Sequence, residues 1–523
     1  MTVYFVGLDG ATFDLIKPLV KKGKLPNFKR IMSAGSFGIL ESEKPPSTFP
    51  GWPTIATGKN PGKHGIYNFF DPKKRKPLLN QKITIVDSSY LSLKTWDANP
   101  FWSLLSSEEK RVAVINYPGT YPPRKINGVM VTGMLTPTLI KKQFTYPESF
   151  ASTLKQVVPD YEIDAKFQVD RKNALKNVNL SAEKRMRLAE YLIKKEPFDL
   201  FAIIFTGLDR IQHYLWNSAE LNKHYQKLDD FLGQFLRLMK KKDYLFILSD
   251  HGFQEAKTYF NINNWLIENG YLYVRDSKSM SYTFLKFFGL KKSNILKLMK
   301  LLRLTKLLKY APMKIKGLFV NNNPSFEDMD VDWEKTLAYA PFITENGLYL
   351  NVSGREPKGI VTDKNYHGVR DRIIAGLKKE KINISAYKRE EIYSGPYTKQ
   401  FPDIVLNIED KGYRINTGIS SKVYEDINHL KEEEPLARHH KDGILLVFGP
   451  DIKKQELKNR MKQIDILPTI LHILDLSIPK DIDGTVIKNL FDKNSLLHKK
   501  EICIKKDFSE KSSISNAISI LDF

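Results

Sequence analysis

Three apolar segments, each followed closely by an aspartate, constrain the fold of this chain more than any other feature. They are Val3–Leu8, Leu200–Phe205 and Tyr244–Leu248, and none of them contains a charged residue. Continuous apolar runs of this length are typical of strands that are buried on both faces of a parallel sheet. Helical patterns alternate with such strands along the chain, which predicts an α/β sandwich with a mostly parallel sheet and helices on both faces.

The same alternation predicts the remaining elements of the core. Further strands are expected at Arg111–Tyr117, Val129–Thr132, Ile404–Asn407 and Ile444–Phe448. Helices are expected at Phe13–Lys22, Ala182–Lys195, His224–Lys240 and Ile464–Leu474.

The middle of the chain interrupts this rhythm, and 523 residues exceed what one small core requires. We expect a core formed by residues 1–261 and 357–492, an inserted helical cap of residues 262–356, and a C-terminal tail of residues 493–523. The cap contains a basic run, Ser281–Val320, with ten Lys or Arg residues and no acidic residue. From Lys297 to Lys309 a lysine or arginine recurs every three residues, and these charges wind around a helix, which disfavours a wide apolar face. A solvated surface, membrane-surface contact and capture of anionic substrates all remain open.

Charge and cysteine content narrow the class of protein. The net charge of +23 is compatible with nucleic acid, membrane surface or anionic substrates as partners. A single cysteine, Cys503, excludes an internal disulfide and a cysteine-based metal cluster. The N-terminal segment lacks a basic region, and no stretch approaches the roughly 20 apolar residues of a transmembrane helix. We expect a cytoplasmic protein without a transmembrane segment or specific nucleic-acid binding; peripheral membrane contact and oligomeric state stay open.

Three carboxylates follow the three apolar strands. Asp9, Asp209 and Asp250 each come within a few residues of a strand's end. The carboxyl ends of neighbouring parallel strands form the binding crevice of an open α/β sheet. Carboxylates gathered there repel one another strongly unless cations lie between them.

Histidines accompany these aspartates. Asp209 and His213 are four residues apart, so a helix would place both on one face. His251 directly follows Asp250, and both can face one site if the strand has ended, which Gly252 permits. His439 and His440 precede a late strand. Mixed carboxylate and imidazole ligands suit Zn²⁺, or Mn²⁺ where carboxylates dominate, and two such ions about 4 Å apart suit a phosphoryl-type displacement.

A rigid turn carries a candidate nucleophile, Thr48. Pro45 and Pro46 precede it, Pro50 follows it, and a short helix is expected at Thr54–Thr57 before Gly58. Prolines limit the entropy lost in positioning a reactive group.

At this point the chain resembles a family. The segments VGLDGATFD, STFPGWPTIATGKNPGKHGIYNFF, TGLDRIQHYLW, LSDHGF and HHKDGILLVFGP are similar to the ordered motifs of the alkaline phosphatase superfamily. They are most similar to its type I phosphodiesterase/nucleotide pyrophosphatase branch. The resemblance covers Val3–Ile487 and implies an alkaline-phosphatase-like fold.

The resemblance also implies roles for individual residues. Thr48 would be the nucleophile and would also contact a metal ion that is bound by Asp9, Asp250 and His251. The second ion would be bound by Asp209 and His213, with His439 rather than His440 as the third ligand because it stands three residues before Asp-Gly. Thr48 would form a phosphothreonine, which water then hydrolyses.

One position departs from the pattern of that branch. Its phosphodiesterases commonly have Asn three residues after the nucleophile, where this chain has Gly51 followed by Trp52. We therefore take Gly51, Trp52 and the nearby Asn68 as candidate substrate residues. The sequence Thr48-Phe49-Pro50-Gly51 lacks the Cys or Ser and the Arg of a sulfatase.

The resulting hypothesis is a two-metal hydrolase of small phosphate esters, of the phosphodiester or nucleotide pyrophosphate type. One alternative is a phosphotransferase or phosphomutase of the same superfamily. The other is a basic, non-enzymatic protein that binds anions or membrane surfaces.

Overall fold

The fold is taken from a computed structural model of the chain, which describes residues 1–69, 98–137, 143–164, 171–275, 330–341, 346–420, 422–427 and 435–505. The basic run Ser281–Val320 lies outside these residues, as does the tail from residue 506. Among the described residues, none of the helices is long and apolar enough to cross a membrane.

The strands, in chain order, are β1 Val3–Leu8, β2 Ser36–Glu41, β3 Val112–Tyr117, β4 Gly128–Thr132, β5 Thr145–Tyr146, β6 Leu200–Phe205, β7 Tyr244–Leu248, β8 Gly252–Asn261, β9 Ala338–Tyr339, β10 Gly347–Leu350, β11 Ile384–Lys388, β12 Ile404–Ile408, β13 Gly412–Asn416, β14 Tyr424–Asp426, β15 Ala437–His440, β16 Asp442–Phe448, β17 Gln455–Glu456, β18 Met461–Lys462, β19 Ile478–Pro479 and β20 Ile504–Lys505.

The α-helices are α1 Phe13–Lys21, α2 Pro26–Ala34, α3 Thr48–Thr57, α4 Pro61–His64, α5 Phe101–Ser107, α6 Phe150–Val157, α7 Arg171–Lys195, α8 Gly207–Leu215, α9 Ala219–Leu238, α10 Ile262–Glu268, α11 Asp363–Leu377, α12 Arg389–Ile392, α13 Ile466–Ile473 and α14 Leu496–Lys499. Short 3₁₀ turns occur at Thr398–Gln400, Gln463–Asp465 and Lys488–Leu490.

One large sheet organises the molecule, with the strand order β17-β2-β16-β7-β1-β6-β3-β4-β5. Strand β1 is at its centre and runs parallel to both β6 and β7. Strands β3 and β4 continue the parallel part, whereas β16 is antiparallel to both of its neighbours. The predicted mostly parallel sheet is therefore confirmed.

Alternate residues of β1 enter two separate apolar clusters, because side chains alternate between the faces of a strand. Val3 and Phe5 pack in one cluster, and Tyr4 and Val6 pack in the other. Helices α3 and α13 contribute to the first cluster, and α1, α2, α7, α8 and α9 contribute to the second. Burial on both faces explains why the sequence of this strand is apolar without alternation.

The three apolar segments form strands with the predicted bounds, and the other predicted strands begin or end within two residues of their expected positions. Two helices start earlier than expected, since the one predicted from Ala182 begins at Arg171 and the one predicted from His224 begins at Ala219. The helix predicted from Thr54 is the later part of α3, which is kinked at Phe49, where the backbone is not helical (φ −116°, ψ 118°).

A second, smaller sheet has the order β11-β12-β10-β9 and an apolar cluster of its own, with residues from Phe260 to Ile415. The described part of residues 262–356 comprises α10, β9 and β10, and β10 pairs with β12 from later in the chain. The division into core, inserted cap and tail stays a prediction.

The carboxylate of Asp403 links several segments of this second unit by hydrogen bonds. The carboxylate is fully buried and accepts two hydrogen bonds from Arg355, at 2.9 and 2.7 Å. It also accepts bonds from Arg389 at 2.8 Å, from the Tyr366 hydroxyl at 2.7 Å and from the Leu350 N–H at 2.7 Å. Burial alone would raise the pKa of Asp403, but these donors, Arg355 foremost, hold the pKa below its ordinary value.

Candidate active site

The candidate site lies at the carboxyl ends of β1, β6 and β7. These three strands are neighbours in register, with Leu8 opposite Phe205 and Gly7 opposite Leu248. Asp9 directly follows β1, Asp209 is in the first turn of α8 after β6, and Asp250 follows β7 by two residues. The parallel register therefore brings the three aspartates to one edge of the sheet, as their positions in the sequence predicted.

Asp9, Asp250 and His251 form a first group of possible ligands, and all three are fully buried. His251 Nε2 is 3.5 Å from Asp9 Oδ1 and 3.3 Å from Asp250 Oδ2. These same three atoms are buried without a hydrogen-bond partner among the described residues. The other oxygen of each carboxylate is occupied, since Asp9 Oδ2 accepts from Trp52 Nε1 at 3.1 Å and Asp250 Oδ1 accepts from Gly10 N at 3.2 Å. One ligand atom of each residue thus remains directed to a common point.

Asp209, His251 and His439 form a second group, which shares His251 with the first. Asp209 Oδ1 is 3.0 Å from His439 Nε2 and 3.8 Å from His251 Nε2. His213, four residues after Asp209 on α8, places its Nε2 3.7 Å from the same oxygen and 3.1 Å from His439 Nε2. The helix therefore does direct Asp209 and His213 to one site.

The three histidines are oriented by backbone carbonyls. Nδ1 of His213 lies 3.1 Å from Ala437 O, Nδ1 of His251 lies 3.1 Å from Gly252 O, and Nδ1 of His439 lies 3.2 Å from Pro46 O. A carbonyl oxygen only accepts, so each Nδ1 carries a proton and the Nε2 atom of each ring is left to face the site. The Nε2 atoms of His213 and His439 lie 3.1 Å apart, close enough for a single cation to bind both.

The electrostatics of the site also favour bound cations. Burial, followed by Asp250 and Asp209, raises the pKa of Asp9 well above its ordinary value. Burial and the charge of Asp209 raise the pKa of Asp250 to about 7. Burial lowers the pKa of His213 to about 4 and that of His251 well below its ordinary value. Clustered carboxylates and neutral imidazoles therefore lack the positive charge that a divalent ion would supply.

Thr48 is at the start of α3, in a turn whose neighbouring residues contact this cluster. It is 2% exposed and follows Ser47, whose backbone is extended. Its neighbours contact three of the possible ligands: Pro46 O accepts from His439, Trp52 donates to Asp9, and Gly51 packs on Asp250. The turn that carries Thr48 therefore contacts residues of both groups of possible ligands.

The far end of α3 is fixed independently of the ligands. The helix ends at Gly58, which adopts a left-handed backbone (φ 64°). His64 braces the following loop, because Ile66 N donates to its Nδ1 at 3.2 Å and its Nε2 lies 3.0 Å from Thr54 Oγ1. Its pKa is lowered to about 3 by burial and by Lys59, so the ring is neutral.

The three candidate substrate residues occupy different surroundings. A Cβ on Gly51 would lie 2.9 Å from Asp250 Cβ and 3.2 Å from its carbonyl oxygen, so this position is glycine because Asp250 leaves no space. Trp52 is fully buried and packs edge-on to Tyr117, with ring centroids 5.5 Å apart. Asn68 is partly buried in the bend after α4. Their role in substrate binding stays a prediction.

Three further residues of the motifs lie outside the two groups of possible ligands. His440 is next to His439 on β15, and its Nδ1 accepts from Asp442 N at 3.3 Å, outside both groups. Arg210 forms an ion pair with Asp164. Gly252 allows β8 to approach Asp442 O so closely that a Cβ would clash, and this close approach is what requires glycine there.

Sequence reasoning missed several residues that support the ligands. Gln212 Nε2 donates to Gly10 O at 2.8 Å, and Tyr117 Oη donates to Trp52 O at 2.8 Å. Phe253 packs against all three histidines. Gln212 and Phe253 stand inside the motifs GLDRIQH and SDHGF, which is the signal that could have identified them, whereas Tyr117 has no such signal in the sequence.

One family model and several solved structures match this chain. The family model for type I phosphodiesterase / nucleotide pyrophosphatase matches residues 3–442. A search of curated proteins finds no match.

Solved structures share the fold at low sequence identity. Murine ectonucleotide pyrophosphatase/phosphodiesterase 5, in an inactive form in complex with AMP, is 15% identical with a TM-score of 0.52, and the match covers 94% of this chain and 100% of that one. The human protein of the same name is 16% identical with a TM-score of 0.51, over 95% and 100%. Phosphonoacetate hydrolase from Sinorhizobium meliloti, in complex with phosphonoacetate, is 16% identical with a TM-score of 0.53, over 91% and 95%. These likenesses confirm the predicted alkaline-phosphatase-like fold.

Proposed function

Because this chain belongs to the type I phosphodiesterase/nucleotide pyrophosphatase family, we propose that it hydrolyses small phosphate esters at the candidate site through a phosphothreonine at Thr48. Family membership makes the chain an enzyme of this type and removes the alternative of a non-enzymatic binding protein. The cytoplasmic location stays a prediction.

One observation carries the proposal. Four buried atoms, Oδ1 of Asp9, Oδ1 of Asp209, Oδ2 of Asp250 and Nε2 of His251, lack a hydrogen-bond partner among the described residues. Leaving such polar atoms unpaired in a protein interior is costly, and buried charges are ordinarily paired or bound to metal ions. Their convergence from three strand ends supports a pair of divalent cations.

The donor atoms suggest which residues would hold each ion. Asp9, Asp250 and His251, together with Thr48, would bind one, and Asp209, His213 and His439 would bind the other. His251 is within 3.8 Å of Asp209 Oδ1, so it lies between the two groups. Two histidines and one carboxylate in the second group suit Zn²⁺, while the carboxylate-rich first group would also accept Mn²⁺.

Divalent ions at such a pair of sites lower the pKa of a hydroxyl and stabilise the charge that develops on the attacking and leaving oxygens. The residues of the chain supply the rest. Thr48 Oγ1 attacks phosphorus and forms an Oγ1–P bond, while the bond from phosphorus to the leaving oxygen breaks. The leaving oxygen ends as an alcohol or phosphate after protonation from solvent, and the Thr48 proton passes to solvent. Water then attacks phosphorus, the Oγ1–P bond breaks, and Thr48 regains its proton.

The buried turn around Thr48 holds the hydroxyl in position. Pro46, Gly51 and Trp52 tie the backbone around Thr48 to ligand residues, so the hydroxyl does not have to be ordered when the substrate binds. We infer a diester or pyrophosphate substrate because the matched family is named for these activities. The solved structure in complex with phosphonoacetate suggests that phosphonates also belong in the substrate panel.

The test is turnover of bis(p-nitrophenyl) phosphate, a p-nitrophenyl phosphonate ester and a dinucleoside pyrophosphate by the wild type, by Thr48→Ala and by Thr57→Ala. Thr57 is a matched control because it lies in the same helix and bonds to Pro53 O at 2.7 Å, away from the ligands. We expect Thr48→Ala to lose about 1000-fold or more in kcat, as covalent nucleophiles do when removed. Thr57→Ala should keep activity within a few-fold. Retained turnover in Thr48→Ala would overturn the covalent route.

A further inference from the structure

Strand β8 inserts one aromatic side chain among the possible metal ligands. Phe253 is 1% exposed and follows the Asp250–His251–Gly252 segment. In the antiparallel pair of β8 and β15 it stands opposite His439. It is apolar and has no place in the chemistry proposed above.

The ring of Phe253 contacts imidazoles from three different elements. The ring centroids lie 4.9 Å from His213 on α8, 5.1 Å from His439 on β15 and 5.6 Å from His251 in the connection between β7 and β8. The contacts with His213 and His439 are edge-to-face, with interplanar angles of 74° and 65°. Trp216 stacks on Phe253, with ring centroids 6.3 Å apart and an angle of 28°.

The same ring lies against the turn that follows Asp9. A Cβ on Gly10 would lie 2.7 Å from Phe253 Cε2, and Gly10 has a left-handed backbone (φ 74°). Gly10 also donates its N–H to Asp250. Phe253 therefore contacts elements that carry ligands of both groups.

The contacts with Phe253 restrict the tilt of the three imidazole rings, which the backbone hydrogen bonds alone do not fix. Nδ1 of each histidine bonds to a backbone carbonyl, and this bond by itself does not determine the tilt of the imidazole ring. An aromatic ring packed edge-on restricts that tilt, because such pairs have a preferred geometry. Residues that orient metal ligands without touching the metal commonly change its affinity 10- to 100-fold.

We propose that Phe253 is a shared positioning residue, which fixes the Nε2 atoms of His213, His251 and His439 so that both metal sites are preformed. The inference rests on the proposed two-metal site. It implies that loss of the ring weakens the binding of both ions together, whereas a ligand variant such as His213→Ala acts mainly on one.

The test is calorimetric titration of the metal-free full chain with Zn²⁺ for the wild type, Phe253→Leu and Phe260→Leu. Phe260 is the matched control, since it is fully buried on the same strand and contacts Tyr424 (centroids 5.4 Å apart) in the cluster of the second sheet. We expect Phe253→Leu to lose roughly 10- to 100-fold in affinity at both sites. Phe260→Leu should lower the melting temperature but leave both affinities within about twofold of the wild type. Absorption of the Co²⁺-loaded protein should change only in Phe253→Leu.

The possible results distinguish failure of the proposed two-metal site from failure of the role assigned to Phe253. If the wild type does not bind two equivalents of Zn²⁺, the two-metal site itself is wrong. If the wild type binds two and Phe253→Leu binds them equally well, or if Phe260→Leu loses as much affinity, the role assigned to Phe253 is wrong. Should Phe253→Leu not fold, Phe253→Met takes its place, because the flexible thioether fills irregular space without a flat ring.

Discussion

Replacement of Trp52 by phenylalanine tests whether the nucleophile turn and the first ligand group form one unit. The indole N–H donates to Asp9 Oδ2 at 3.1 Å, in fully buried surroundings. The Trp52→Phe variant keeps an aromatic ring against Tyr117 and Phe5 but removes this donor.

The expected loss follows from the surroundings of Asp9. Burial raises the pKa of its carboxyl, and the Trp52 hydrogen bond opposes that rise by stabilising the ionised form, which is the form that binds a metal ion. A hydrogen bond to a charged group contributes about 1.5–3 kcal/mol. At 1.4 kcal/mol for each tenfold change, we expect metal affinity at this site to fall roughly 10- to 100-fold.

The assay is Zn²⁺ titration of the metal-free protein, with kcat/KM for an aryl phosphodiester as a second reading. Trp102→Phe is the control, because Trp102 is also fully buried and packs on the same Tyr117, with centroids 5.0 Å apart. Both variants should lower the melting temperature, while only Trp52→Phe should weaken metal binding. Equal affinity in Trp52→Phe and wild type would refute the claim that this hydrogen bond prepares Asp9.

Three further outcomes follow from the structure. Gly51→Ala should reduce both metal affinity and turnover, because its Cβ would lie 2.9 Å from Asp250 Cβ; unchanged titration curves would contradict this packing. His439→Ala should lose at least about tenfold in metal affinity while His440→Ala stays near wild type, and the reverse order would exclude the ligand assignment. The folded-state pKa of Asp403 is depressed, so its contribution to stability is present above the unfolded pKa of about 4 and is lost as the pH falls through the folded value. Asp403→Asn should therefore lower the free energy of unfolding, measured in urea at pH 7, by about 3 kcal/mol. The difference from wild type should be smaller in strong acid.

The sequence predicted those features that depend on local pattern. An apolar run such as Val3–Leu8 has to be buried on both faces, and that requirement places it inside a parallel sheet. The position of Asp9 at its end, and the spacing of Asp209 and His213 on a helix, then determined which edge of the sheet carries the site. Helix α3 extends before the predicted start at Thr54, but Phe49 has a non-helical backbone, and Pro50 follows this kink at a position where its missing N–H is not needed.

Contacts between distant segments could not be predicted in this way. Nothing in the local pattern relates Trp52 to Asp9, Pro46 to His439 or Phe253 to His213, because each pair is joined only through the folded sheet. Gly252 illustrates the same limit: its glycine is required by the carbonyl of Asp442, which is far away in the sequence. Residues that orient ligands are therefore recognised from the structure, while the ligands themselves are recognised from strand ends and spacing.

The covalent role of Thr48 is tested most directly by trapping the intermediate. Metal-loaded enzyme is mixed with an aryl phosphodiester, quenched in acid within one turnover, digested, and examined by mass spectrometry for a modified peptide that contains Thr48. The account predicts a phosphoryl adduct on Thr48 that still carries the second ester group of the substrate, forms with the first burst of phenolate and is absent from Thr48→Ala. A full burst of product with unmodified Thr48, or with the adduct on another residue, would contradict it.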